Sequence, residues 1–172
     1  MDISLVSKNC IKLKGKKATF VVDPEEKMPM TTADAILLTG SSFDKSRVAN
    51  SRIIINSQGE YEIGGSKISG VATTKGTVYR MTIDNIVIIA GRTVEFSKLD
   101  GKFTACEIVL VNADEEFNES SITAFSPKLA VFFGDKKVDA AKKLGAENTT
   151  AISKLSITSD KLPGEMQVVL LG

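Results

Sequence analysis

The stretch Ala33-Asp34-Ala35-Ile36-Leu37-Leu38-Thr39 runs directly into Gly40-Ser41-Ser42-Phe43-Asp44-Lys45, so an unbroken apolar segment is followed at once by small and charged residues. Ala35–Leu38 shows no polar alternation, which is the pattern of a central strand covered on both faces. Ile86–Ile89, Ile108–Val111 and Leu129–Phe133 repeat that pattern. Other runs alternate instead: Tyr79, Met81 and Ile83 oppose Val78, Arg80 and Thr82, as in an antiparallel strand with one buried face.

Working outward, β-branched and aromatic runs predict nine strands before residue 91: Ile3–Val6, Cys10–Leu13, Thr19–Val22, Ala35–Thr39, Arg52–Ile55, Glu60–Ile63, Lys67–Val71, Val78–Ile83 and Ile86–Ala90. Gly64-Gly65 and Asp84-Asn85 each separate two such runs and suit two-residue reversals. Helical spacing is confined to Asp44–Asn50, Asn118–Phe125 and Asp135–Leu144; in the last, Val138, Ala141 and Leu144 form one stripe and Gly145 ends it. The tail predicts strands at Ala151–Thr158 and Met166–Leu171 with a turn at Leu162-Pro163-Gly164. The expected architecture is α+β: two mixed sheets packed face to face, few outer helices, and Ala35–Thr39 and Ile86–Ala90 as neighbouring central strands. No linker or repeat divides the chain, so residues 1–172 are read as one domain.

Composition narrows the chemistry. The chain of 172 residues has 22 Lys and Arg against 21 Asp and Glu, a net charge of +1 without a basic block, which argues against nucleic acid as a partner. It has no histidine, which removes every Ser-His, Cys-His and His-metal mechanism. Cys10 and Cys106 are too few for a disulfide framework or a thiolate cluster and are read as reduced thiols. No signal sequence and no apolar run of membrane-spanning length is present, so the expectation is a cytoplasmic protein that makes no membrane contact.

The order of short motifs resembles the metallo-β-lactamase superfamily, in particular its small bacterial hydrolase-like members. A strand ending in Val21-Val22-Asp23-Pro24 is similar to the family's first hairpin, and Thr39 to Asp44 matches without a gap the strand end and loop that carry its His-x-His-x-Asp-His motif. Ser57-Gln58-Gly59-Glu60-Tyr61-Glu62-Ile63 is similar to a Pro-Gly-Glu-Tyr-Glu segment. Ile88-Ile89-Ala90-Gly91-Arg92-Thr93 is similar to a strand ending in Gly-Asp-Thr, and Ser126–Gly134 to the last core strand, which ends in a metal-binding His. The resemblance implies a metallo-β-lactamase-like αββα sandwich. It also places Gly40, Ser42 and Lys45 where three histidines would stand, Arg92 at the metal-bridging Asp, and Gly134 at the last His. Asp44 keeps the motif Asp, and Asp23 is a possible outer carboxylate.

These substitutions remove the metal chemistry. A catalytic zinc needs neutral nitrogen ligands and an open position for water. Gly40 and Gly134 offer no donor, Ser42 is a poor one, and Lys45 and Arg92 are cations, each opposing a second charge about 4 Å away by roughly 4 kcal/mol at an effective dielectric of 20. The reading is therefore a non-catalytic protein without metal or other cofactor. It would act by binding an unknown protein or small molecule, or by assembly, including with copies of itself. The competing reading is a hydrolase with a non-standard site, either a weak cation at Asp23 and Asp44 or a Ser42/Lys45 pair. Two carboxylates fall short of the six to eight oxygens that calcium takes, and a Ser and Lys at that spacing also suit an N-cap and a solvated lysine. Arg92, or else Lys45, is expected to pair with Asp44 or Asp23 in the metal's place.

Overall fold

The computed structural model describes residues 1–40, 43–99 and 101–172. In chain order the strands are β1 (Asp2–Ser7), β2 (Cys10–Lys14), β3 (Thr19–Val22), β4 (Thr31–Thr32), β5 (Ala35–Leu37), β6 (Val48–Ala49), β7 (Ile53–Ile55) and β8 (Gly59–Ile63). They continue as β9 (Ser66–Ala72), β10 (Thr77–Ile83), β11 (Ile86–Arg92), β12 (Ile108–Asn112), β13 (Leu129–Phe133), β14 (Ala151–Ile152), β15 (Lys154–Ser156) and β16 (Gln167–Leu171). Among the described residues three short α-helices are interspersed, α1 (Thr93–Phe96), α2 (Ser120–Thr123) and α3 (Lys137–Lys143), with a 3-10 turn at Ser159–Lys161.

Two mixed sheets face each other. One has the order β15-β1-β2-β3-β5-β7, the other β14-β16-β13-β12-β11-β10-β9-β8, and β4 pairs with β6 separately. Inward residues of both sheets interdigitate in one core, with Ile11, Leu13, Phe20 and Leu37 from the first meeting Met81, Ile88, Leu110 and Val131 from the second. Removing such side chains from water is the main stabilising term. The outer face of the eight-stranded sheet buries Val109, Val111 and Phe132 beneath Phe96, Ile122 and Ala140, one from each helix. Outside the six-stranded sheet, Cys10 and Val21 are covered by Met28 and Ala33, which belong to no helix.

The two sheets are tied at their edge by polar contacts. The fully buried Tyr79 hydroxyl lies 2.9 Å from the Leu38 carbonyl and 3.0 Å from that of Ile55, so β10 reaches across to the strands of the other sheet. Thr77 N–H donates to the Thr39 carbonyl at 3.0 Å. Gly76 comes so close to that carbonyl that a β-carbon there would collide with it. Gly64 and Gly65 (φ 56° and 75°) and Asp84 and Asn85 (φ 51° and 65°) make the two reversals with the left-handed backbone that primed turns require.

Several expectations need correction. Ala35–Thr39 and Ile86–Ala90 do not neighbour each other: β5 lies between β3 and β7, and β11 between β10 and β12 in the facing sheet. An apolar run reports cover on both faces and carries no information on which sheet supplies its neighbours. Asp44–Asn50 is not helical and contains β6. In α3 the buried residues are Ala140 and Ala141, while Val138 is 46% exposed, so the packed stripe is narrower than its spacing suggested. Gly145 (φ 76°) does end that helix: its N–H bonds to the Lys142 carbonyl and that of Ala146 to Ala141, a Schellman pattern. Cys10 is fully buried on the internal strand β2.

Candidate functional site

Loops that follow parallel strands collect at the strands' carboxyl ends, where α/β sheets build their clefts. Here β3 and β5 run parallel in one sheet and β11, β12 and β13 in the other. Their ends deliver Asp23 and Gly40 from the first sheet, and Arg92, Asn112, Asp114 and Asp135 from the second. With Asn9 these residues line a cavity of about 230 Å³.

Asp23 follows β3 in a left-handed conformation (φ 50°), rare for a residue with a side chain. Its carboxylate does not cap its own turn. Instead it accepts the Thr39 N–H at 2.7 Å and the Thr39 hydroxyl, which joins the ends of β3 and β5. Burial raises the pKa of Asp23, opposed by the Thr39 hydrogen bonds, a Gly40 backbone bond and the charge of Arg92.

Arg92 turns into the cleft, and its partner is Asp114. Nε donates to Asp114 Oδ2 at 2.6 Å and Nη2 pairs with the same oxygen, while the Thr93 hydroxyl donates to Oδ1 at 2.8 Å. The expected pairing with Asp44 or Asp23 is thus replaced by one with a residue that the sequence reading did not single out. Nη1 lies 3.2 Å from the place a β-carbon on Gly40 would take, so a side chain at that position would press on the guanidinium.

Gly134 (φ 89°) is closed in the same way. A β-carbon there would run into Asn112 Oδ1 and approach the Ala113 backbone to 3.2–3.3 Å. Asn112 is 5% exposed, and its Oδ1 is buried without a hydrogen-bond partner among the described residues. Asp135 pairs with Lys8 at 2.7 Å, but both side chains are mostly exposed and the pair adds little.

The structure does not bring the other expected residues into the cleft. Asp44 lies on the outside of its loop, where its carboxylate accepts the Ser46 N–H at 2.7 Å; this bond, with Ser46 and Arg47 nearby, lowers its pKa below the ordinary value. Lys45 is exposed, and neither residue lines the cavity. The Asp44 N–H donates to the Pro24 carbonyl at 2.9 Å, next to Asp23 in the chain, but the Asp44 carboxylate is bonded to Ser46 and does not line the cavity that Asp23 lines. Ser42 lies outside the described residues. Among the described residues no three His, Cys, Asp or Glu side chains are grouped closely enough to hold a metal ion.

No family model and no curated protein matches the sequence. Solved structures do match. A protein of Thermotoga maritima designated a Zn-dependent hydrolase of the metallo-β-lactamase superfamily superposes with a TM-score of 0.80 at 20% identity, covering 99% of this chain and 97% of that one. A Parabacteroides distasonis protein designated a metal-dependent hydrolase gives 0.64 at 14% identity over 99% and 93%. The metallo-β-lactamase fold protein YhfI of Bacillus subtilis gives 0.57 at 10% over 98% and 95%. The chain therefore has the metallo-β-lactamase fold.

Proposed function

We propose that this chain is a single-domain, non-hydrolytic protein of the metallo-β-lactamase fold that uses its cleft to bind a ligand, with the Arg92–Asp114 ion pair standing where the fold's hydrolases hold metal. The observation that carries this reading is the position of the guanidinium, against Gly40 on one side and bonded to Asp114 on the other. A resident zinc ion does not fit this donor set. The chain has no imidazole, Asp114 is taken by Arg92, and a positive charge would lie beside any entering cation. Gly134 supports the same reading, because Asn112 fills the space that a ligating side chain would need. Fold alone does not confer hydrolysis.

A cytoplasmic site of action is part of this proposal, supported by Cys10 and Cys106, which are free and buried in separate clusters. Among the described residues no helix is long and apolar enough to cross a membrane. The test is a screen of carboxylic-ester, phosphodiester and β-lactam substrates in the presence of zinc or manganese. The expected result is no turnover above buffer. Turnover that is lost in Ser42→Ala or in Asp23→Asn would restore the hydrolase reading.

A further inference from the structure

Beyond Arg92 the cleft opens into a wider groove of about 810 Å³, between the loops at residues 56–58 and 72–77. The two compartments share Gly40 and Arg92 and differ in charge. The inner one holds Asp23, Asp114 and Asp135. Among the described residues the outer one is lined by no carboxylate, and its charged residues are Lys75 and Arg92, set among Asn56, Ser57 and Thr77.

Arg92 separates the two compartments and is oriented by one of them. A guanidinium has five N–H donors in a rigid plane, and Asp114 uses the Nε and Nη2 side. Among the described residues nothing else accepts from it, so the edge formed by Nη1 and the second Nη2 hydrogen is unused. That edge presents two parallel N–H groups, a match for two oxygens of a carboxylate or phosphate. Because Asp114 fixes the plane, little side-chain entropy is left to lose when an anion docks. Lys75 is the second cation. Its Nζ is 3.7 Å from Glu115 Oε1, with both side chains more than half exposed, so the pair is loose and an incoming anion can displace it.

We infer that the outer groove binds the oxyanion group of a small molecule, a carboxylate or a phosphate, on the free edge of Arg92 with Lys75 as its second contact. This rests on the reading of Arg92 as the occupant of the metal position. Neutral polar groups of the groove would then contact the remainder of the ligand.

The probes are inorganic phosphate and acetate, titrated at constant ionic strength into the full chain and followed by ¹H–¹⁵N NMR. Saturable shifts at Gly40, Lys75, Gly76 and the Arg92 Nε–H are expected for one of the two, which identifies the anion. Lys75→Glu, an exposed change that leaves the Arg92–Asp114 pair intact, should weaken that binding by about tenfold or more, as loss of a charge-assisted contact does. Arg92→Lys should weaken it as well, with the melting temperature recorded to show that the variant is folded. Shifts that stay linear with both anions, or an affinity left within twofold by Lys75→Glu, would overturn the inference. Failure here in a chain that takes up no metal removes only the oxyanion, whereas zinc uptake removes the underlying reading.

Discussion

Arg92 and Asp114 are joined through Nε at 2.6 Å and through Nη2, across the ends of the parallel neighbours β11 and β12. Side-chain exposures of 32% and 18% make this a partly buried, two-donor pair, unlike the surface pair of Lys8 and Asp135. Among the described residues Arg92→Ala leaves the Asp114 carboxylate with only the Thr93 hydroxyl as a donor, and the expected loss is about 1–3 kcal/mol in urea denaturation. Arg92→Lys keeps the charge but cannot reproduce the two-donor geometry, so it should fall between the two. Equal stability of all three proteins would show that the pair does not hold the cleft together.

Gly134 gives a second test, directed at the idea that the old ligand positions are filled. Its backbone (φ 89°) disfavours any L side chain, and Asn112 Oδ1 and Ala113 stand where a β-carbon would go. Both Gly134→Ala and Gly134→His should lower stability by more than about 1 kcal/mol. A histidine variant as stable as the parent would mean that the pocket still accommodates a ligating side chain.

The pH dependence of stability tests Asp23. Burial raises its folded-state pKa above the unfolded one, so the native protein holds the proton more tightly. Between the ordinary aspartate pKa and the raised value, stability from this group therefore falls as pH increases, and below both values its contribution is fully present. Asp23→Asn should remove that part of the slope and keep the Thr39 N–H bonded. Denaturation at a series of pH values checks this. An unchanged slope in the variant would show that Asp23 ionises normally in the fold.

The cysteines are expected to be inert while the protein is folded. Burial, the largest influence on each, pushes both thiols up to about 12, assisted by Asp23 and Glu25 at Cys10 and by Glu107 at Cys106. A thiol reagent at neutral pH should label neither in buffer and both in denaturant. Rapid labelling of native Cys10 would contradict the packing around Met28 and Ala33.

The nine strand runs expected before residue 91 correspond to β1–β3, β5 and β7–β11, because each combines β-branched or aromatic residues with a turn at its end, whereas the two-residue strands β4 and β6 carry too little of that pattern to be read. What the sequence could not convey was the assignment of β5 and β11 to opposite sheets, since a run apolar on both faces fits any central position. Asp44–Asn50 was misread because charged residues at helical spacing also suit an exposed loop, here one in which Asp44 caps Ser46. Within the site, Asp23, Gly40, Arg92 and Gly134 follow from motif order, and the structure gathers them at the parallel-strand ends. Asp114 did not follow, being 22 residues from Arg92. Its signal was the polar Asn112-Ala113-Asp114 segment directly after the apolar run Ile108–Val111, the place where a parallel strand contributes to a cleft.

The central claim, that a guanidinium stands in the place of metal, is tested most directly by zinc content after equilibrium dialysis of the full chain against zinc and then against buffer. The account predicts far less than one zinc per chain and a melting temperature unchanged by zinc or by chelator, because no metal binding is linked to folding. About one zinc retained per chain, with a melting temperature that rises on loading and falls on chelation, would contradict it.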